Sequence, residues 1–537
     1  MKRPHFGNIL DDEGSVTTRR FLLLMELAAR RAIHNPKDHY EPPKCHPNTR
    51  VAIMDRLVDW INGKTFPDTQ LLWFYGLAGA GKSAIAQSLA EICDKRKLLL
   101  ASFFFSRTDP TRNTVNPLAA TIAYQITDVI PATAELIENA VDRRLFTELF
   151  ETQLMKLVIQ PLAEFAKQDA ADQFPHLIII DGLDECFDPN TQIEIVSSIS
   201  RLLHSDATKP FLLRFLIISR PEQHLQKAFS LVPASMLSHL RLDTPDSDIR
   251  VFLQNQFAKI KDSNPATSPS WPTPDVIDLL IRRSCSRFVF ASTVVQYISS
   301  RKDPVACLDT MLQLQCPPEQ RQMPLAELDV IYCHILSSVQ DPQTTKLILG
   351  VILFVNPDYN LFTPLSSAEI SASQTLSGVD SLLGLKPGTA KGSLADLYPM
   401  IQLSRQGNII VPHATIAEFL NDPARSKSFH IDKSSVLPFL TDCCFNNLTN
   451  NDHALNRFVY GHIPQLCMNI PPTADLLKKL KEFSLSRCHR WFRDNADRVG
   501  GALQRKHLFA WWYVSKFMSV LRQLVCNLQS LLILLIS

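Results

Sequence analysis

Eight consecutive residues carry the strongest chemical signal in this chain: Gly76, Leu77, Ala78, Gly79, Ala80, Gly81, Lys82 and Ser83. They satisfy G-x-x-x-x-G-K-[ST] in full, a pattern whose physics is phosphate capture. Its glycines reach backbone dihedrals that other residues resist, so successive amides can turn toward one anion. A helix starting at Ser83 adds unpaired N–H groups and the positive end of its dipole. Lys82 is placed to reach β- and γ-phosphates, and Ser83 to ligate Mg2+. A second group is Leu177-Ile-Ile-Ile-Asp-Gly-Leu-Asp-Glu185. Here an apolar strand ends in Asp181, and a carboxylate at a strand's C-terminal edge can hold the water shell of the same Mg2+. Asp184 and Glu185 follow in the loop, where either could orient or activate a water. The plainer reading of that pair is a solvated acidic loop. Arg220 closes a third apolar run, and a guanidinium at such a strand tip can neutralise a γ-phosphate; a surface salt bridge is the alternative. Arg107 and Arg112, in SRTDPTRN, point either to a phosphate or neighbouring subunit or, equally, to capping of a loop or helix. The ensemble describes a nucleotide site for ATP or ADP, with GTP left open, and with Mg2+ as the metal.

Such residues need a frame. Short fully apolar runs at 71–75 (LLWFY), 98–105 (LLLASFFF), 177–180 (LIII) and 215–218 (FLII) alternate with helical periodicity at 51–61 and 83–93 and a helical stretch over 117–170. Strands apolar on both faces and separated by helices predict a parallel sheet covered on both sides. After Leu242 the pattern turns helical, with 3.6-residue periodicity over 246–260 and 274–300. Near 400 a hairpin is expected. Its strands are 400–403 and 409–411, its Gly-containing turn is 404–408, and a helix over 414–420 follows. The fold class expected is therefore an α/β P-loop NTPase, then a helical domain, a winged-helix domain and a helical C-terminal region.

The 537 residues suffice for several compact units, and 45% hydrophobic with 20% charged residues is an ordinary globular balance. A formal net charge of +2 gives no bulk argument for nucleic acid or an anionic membrane. The 400–420 stretch is poor in Lys and Arg, so no nucleic-acid partner is expected. Twelve scattered cysteines read as reduced thiols. Cys443, Cys444, Cys467, Cys488 and His489 match no zinc-finger spacing. The apolar tail 523–536 is 14 residues long, short of the ~18–20 a span needs. Membrane association is expected, if anywhere, only through that tail. The run 21–29 reads as an amphipathic helix rather than a signal peptide, because acids precede and interrupt it.

The combination of GLAGAGKS, SFFFSR (102–107), IIIDGLDEC (178–186) and FLIISRPE (215–222) resembles the NACHT class of STAND NTPases. Within it, the chain resembles the fungal group with a nephrocystin-type N-terminal NTPase domain. Gly182 after Asp181, with acids two positions further on, is a NACHT feature; AAA+ proteins place Glu directly after the Asp. The resemblance covers about 45–432. It implies an NTPase domain over 46–243, a helical domain over 244–345 and a winged helix over 346–432; the pattern of the residues themselves adds a leader with one helix over 1–45 and a helical region over 433–537. The resemblance places Thr49 and Arg50 against adenine and ribose, and His413, in VPHATIAEFL, against the β-phosphate of ADP. One departure stands out: where the family often carries Gly-x-Pro, this chain has SRFVFA (286–291), which puts adenine packing there in doubt.

The function implied is a cytoplasmic nucleotide-operated switch. ADP would clamp the domains, ATP would open the chain and permit a homo-oligomer, and slow hydrolysis would reset it. The output would be signalling of an innate-immunity-like or self/non-self kind, through protein partners the sequence does not name. A turnover ATPase and a nucleotide-retaining scaffold are the competing readings. The first lacks an acceptor-substrate motif, and the second leaves Lys82, Ser83, Asp181 and Glu185 unexplained.

Overall fold

The computed structural model describes residues 16–35, 42–109, 111–167, 175–209, 211–265, 267–354, 375–403, 409–411 and 413–447, with further positions between 463 and 482. The chain divides into two compact units, Met1–Phe252 and Leu253–Ser537.

The first unit is built on a five-stranded parallel sheet of order β2-β3-β4-β1-β5. Its strands are β1 (Leu71–Tyr75), β2 (Leu99–Phe104), β3 (Leu177–Asp181), β4 (Arg214–Ser219) and β5 (Leu237–Arg241). The four apolar runs all become strands, because side chains alternate between faces and both faces are covered. One core layer holds Trp73, Phe103, Ile178, Ile180 and Ile217. The other holds Leu72, Phe74, Ile179, Leu216 and Ile218. β4 lies between β1 and β3, pairing Ile217 with both Trp73 and Ile180. The tips of all three strands therefore sit side by side.

β5 was not expected. Its sequence LSHLR alternates: Leu237, Ser238 and Leu240 are buried, whereas His239 and Arg241 are exposed. An edge strand needs only one ladder and one buried face, so it lacks the continuous apolar signature of its neighbours. The stretch 117–170 is also not one helix. It breaks after Leu118–Val129 at Pro131, and a π-helical turn, Met155–Ile159, precedes Pro161. Proline has no N–H for the bond to the residue four back, which explains both interruptions.

The leader helix α1 (Val16–Leu27) is built into this unit. Leu24 and Ala32 are completely buried. The Ala29 amide donates to Thr121 Oγ1 at 2.8 Å, and the His34 amide to Ser102 Oγ on β2 at 3.0 Å. On β2, one of the two edge strands, the outward amide and carbonyl of Ser102 are paired by the Gln125 side chain at 3.0 and 2.9 Å.

The second unit is mostly helical among the described residues. The continuous periodicity of 274–300 is split into helices Pro274–Ser284 and Phe288–Ser299. Cys285 and Ser286 between them take left-handed φ values of 47° and 60°, which no helix accepts. Further along, β6 (Gln402–Leu403) and β7 (Ile409–Ile410) form the expected antiparallel pair, with Leu403 opposite Ile409. Helix Ala414–Asn421 follows. The turn 404–408, the tail 523–536, Cys488 and His489 lie outside the described residues. Among the described residues no helix is long and apolar enough to cross a membrane.

Candidate nucleotide-binding site

The phosphate loop runs from the end of β1 into helix α3 (Lys82–Lys95). Gly79 and Gly81 hold φ values of 71° and 95°, where a side chain would be strained. Gly76 is needed for a different reason: a Cβ there would lie 2.9 Å from Leu242 Cβ. Lys82 Nζ donates to the carbonyls of Gly76 at 2.9 Å and Leu77 at 3.1 Å, folding the loop around its own ammonium. Burial lowers the Lys82 pKa, opposed by the charges of Asp184, Asp181 and Glu185 and reinforced by Arg220. Leu77 is exposed, Ala78 half-buried and Ala80 buried.

Asp181 ends β3 with 3% exposure. Burial pushes its carboxyl up to about 6, against hydrogen bonds from the Ser83 hydroxyl and the Gly182 amide. Its Oδ1 is buried and has no hydrogen-bond partner among the described residues. Such an atom costs free energy unless an ion or ligand satisfies it. Asp181 and the exposed Ser83 supply the hard oxygen donors that Mg2+ takes, so these residues fit the metal.

The acidic loop is held, not solvated. Asp184 is 5% exposed and is gripped twice by Arg220: its Oδ1 accepts the Arg220 amide at 3.0 Å and its Oδ2 lies 3.1 Å from Nε. Glu185 Oε2 accepts the Arg107 amide at 3.1 Å, and Arg107 Nη2 donates to the Asp184 carbonyl at 2.6 Å. Burial, then the neighbouring Asp184 charge, raises Glu185 to about 7. Arg107 therefore clamps the acidic loop. Arg112 caps its own loop through Asp109 Oδ2 at 3.0 Å and the Phe104 carbonyl at 3.2 Å.

Arg50 reaches the phosphate loop as well, but by an unexpected route. It precedes helix α2 (Val51–Ile61) with a left-handed φ of 64° and 4% exposure. Its guanidinium donates to the Ala80 carbonyl, to Thr244 Oγ1 at 3.0 Å and to the Asp243 carbonyl at 3.4 Å. Its amide donates to Asp248 Oδ2 at 3.2 Å. Thr49 donates its hydroxyl to the His46 carbonyl at 2.7 Å. Both side chains are thus satisfied by protein acceptors.

Two participants escaped the sequence reading, Trp73 and Ser219. Trp73 Nε1 donates to Ser219 Oγ at 2.9 Å, and Ser219 Oγ donates to the Arg220 carbonyl at 2.9 Å. The Gly76 amide donates to the Ser219 carbonyl at 3.4 Å. One serine at the tip of β4 thereby links the phosphate loop to Arg220; nothing in its sequence context marks it.

The first unit thus gathers Gly76–Ser83, Arg50, Asp181, Asp184, Glu185 and Arg220 around the C-terminal ends of the sheet. His413 belongs to the second unit, at the start of helix Ala414–Asn421. Its ring makes no hydrogen bond among the described residues, and burial lowers its pKa to about 4, so it is neutral near pH 7.

The parallel sheet, the phosphate loop and the acid-tipped β3 define the class: this unit is an α/β P-loop NTPase domain. Residues 53–220 match the family described as Nephrocystin 3, N-terminal. That segment is a nephrocystin-type N-terminal domain, in line with the resemblance to STAND P-loop NTPases carried by the motifs. No curated protein matches the chain. Similar solved structures include a Signal Transduction ATPase with Numerous Domains protein with a tetratricopeptide repeat sensor from Pyrococcus horikoshii. It is 13% identical, with 91% of this chain and 67% of that one covered and a TM-score of 0.43. A Walker-type ATPase of Pyrococcus abyssi is 11% identical over 71% of this chain and 98% of that one, at 0.33. Drosophila ORC bound to DNA is 13% identical over 78% and 95%, at 0.30.

Proposed function

We propose that the chain is a nucleotide-operated switch that binds ATP or ADP with Mg2+ and hydrolyses slowly. One observation carries this reading over a turnover enzyme: the carboxylates suited to activating water are engaged by protein donors. Asp184 is paired with Arg220, and Glu185 accepts the Arg107 amide. A general base must be within reach of the proton it takes; Asp184 has both oxygens committed to Arg220 and must release that partner before it can act, whereas Glu185 is engaged through one oxygen only. That suits a protein whose output is a bound state. When bound, Mg2+ supplies charge neutralisation for the phosphates, and Ser83 and Asp181 are the residues that would hold it. Lys82 and the loop amides bind the phosphates; Arg220 positions Asp184.

In the same proposal the stretches 244–345, 346–432 and 433–537, expected from the sequence as a helical domain, a winged helix and a helical region, are the parts that respond. Thr49 and Arg50 order the loop near the nucleoside, and His413 contributes to ADP retention. Oligomerisation in the ATP state, a signalling output and a cytoplasmic location complete it. Heating purified protein and identifying the released nucleotide tests the core of this reading. Near-stoichiometric ADP is expected, and Lys82→Ala should release at least tenfold less. An empty wild-type protein with fast steady-state ATPase activity would sink the switch.

A further inference from the structure

The second unit contains a cavity of about 200 Å3 that the phosphate loop does not explain. Its charged lining is Arg283, Arg287, Arg321 and Glu327, and Phe290 and Leu325 contribute apolar surface. Three guanidinium groups against one carboxylate leave an excess of two positive charges.

Two of those guanidinium groups, on Arg283 and Arg287, hold buried nitrogens without hydrogen-bond partners among the described residues, and Arg321 is exposed at the rim. Arg283 donates Nε to Glu327 at 2.7 Å and Nη1 to the Met311 carbonyl at 2.8 Å and lies over the Phe290 ring at 5.7 Å, yet its Nη2 is buried without a hydrogen-bond partner among the described residues. Arg287 reaches only the Cys285 carbonyl, at 3.5 Å, and its Nε is likewise buried and unpartnered. Arg321 makes one long bond, 3.5 Å, to the Cys316 carbonyl. Buried N–H groups on a charged side chain are expensive to leave unpaired, and proteins rarely do so without a reason.

Two backbone features point the same way. Cys285 and Ser286, just before Arg287, are consecutive non-glycine residues at positive φ, a strain that tends to persist where a ligand site needs it. Helix Ala326–Ser337 begins at the cavity, lined by Ala326 and Leu328, and has no side-chain N-cap. The positive end of its dipole favours an anion there, against the acidic Glu327 and Asp329 of its first turn.

We propose that this cavity binds a phosphate dianion, free or as a small monoester, through Arg283, Arg287 and Arg321. The charge excess matches a dianion. The cavity's apolar portion suits a small organic group on the phosphate.

The test uses the full chain carrying Lys82→Ala, so that the phosphate loop is disabled. Inorganic phosphate and phenyl phosphate are titrated separately by calorimetry at constant ionic strength. Saturable one-to-one binding is expected, weakened at least tenfold when Arg287→Gln or Arg321→Gln is added. Tighter phenyl phosphate binding assigns the ester, and equal or weaker binding assigns the free anion; both support the site. Absence of saturable binding for either compound overturns it, as does unchanged affinity in the arginine variants. If Arg287→Gln loses the wild-type circular dichroism spectrum, Arg321→Gln, at an exposed position, decides the outcome.

Discussion

Asp181 is a carboxylate placed where ionisation is disfavoured. Burial raises it from 3.8 to about 6. The sign follows from linkage: this residue favours the folded state below pH 3.8, and that contribution is lost as pH rises through 6. Asp181→Asn should therefore stabilise the nucleotide-free protein at pH 7.5, by on the order of 3 kcal/mol, and much less at pH 4. Paired denaturant titrations at the two pH values check this; a gain that does not depend on pH would refute the linkage. The same variant should abolish the Mg2+ dependence of nucleotide affinity. Glu185 titrates near neutrality, at about 7. Slow ATP hydrolysis is expected to rise as pH increases through 7 in the wild-type protein and to stay low and flat in Glu185→Gln. A wild-type profile with no inflection there would remove Glu185 from water activation.

Among elements, the informative case is the tie from Arg50 to the phosphate loop and to residues 243–248. A buried guanidinium with three protein acceptors and an ion pair to Asp248 cannot be trimmed without stranding them. Arg50→Ala is expected to cost about 3 kcal/mol and to speed nucleotide release tenfold or more, read with a fluorescent ADP analogue. Arg50→Lys should recover little, because an ammonium lacks the fork. Unchanged release in both variants would show that the tie is merely structural. β1 and α2 were legible to the residue because fully apolar runs and amphipathic periodicity report burial directly. β5 was not, since its half-exposed alternation is weak over five residues. The grip of Arg220 on Asp184 was legible only as two separate residues, because their pairing depends on β3 and β4 being neighbours. Trp73 and Ser219 left no trace, as their contact crosses from β1 to β4.

For the whole molecule, the expectation concerns assembly. Sedimentation velocity should find a monomer with ADP and a larger species with a non-hydrolysable ATP analogue. His413→Ala should shift the ADP sample toward the larger species; an identical distribution in all samples would remove nucleotide control of assembly. The described fold also makes such experiments simpler than they look. Among the described tryptophans, Trp73 is the one hydrogen-bonded to the serine that touches both the phosphate loop and Arg220. It stacks on Phe229 with ring centres 4.4 Å apart and is 5% exposed. A shift of the β4 tip alters the polarity around that indole. Trp73 is therefore an optical gauge of the nucleotide site, read without a label as the part of the emission change that Trp73→Phe removes from the signal of the six tryptophans.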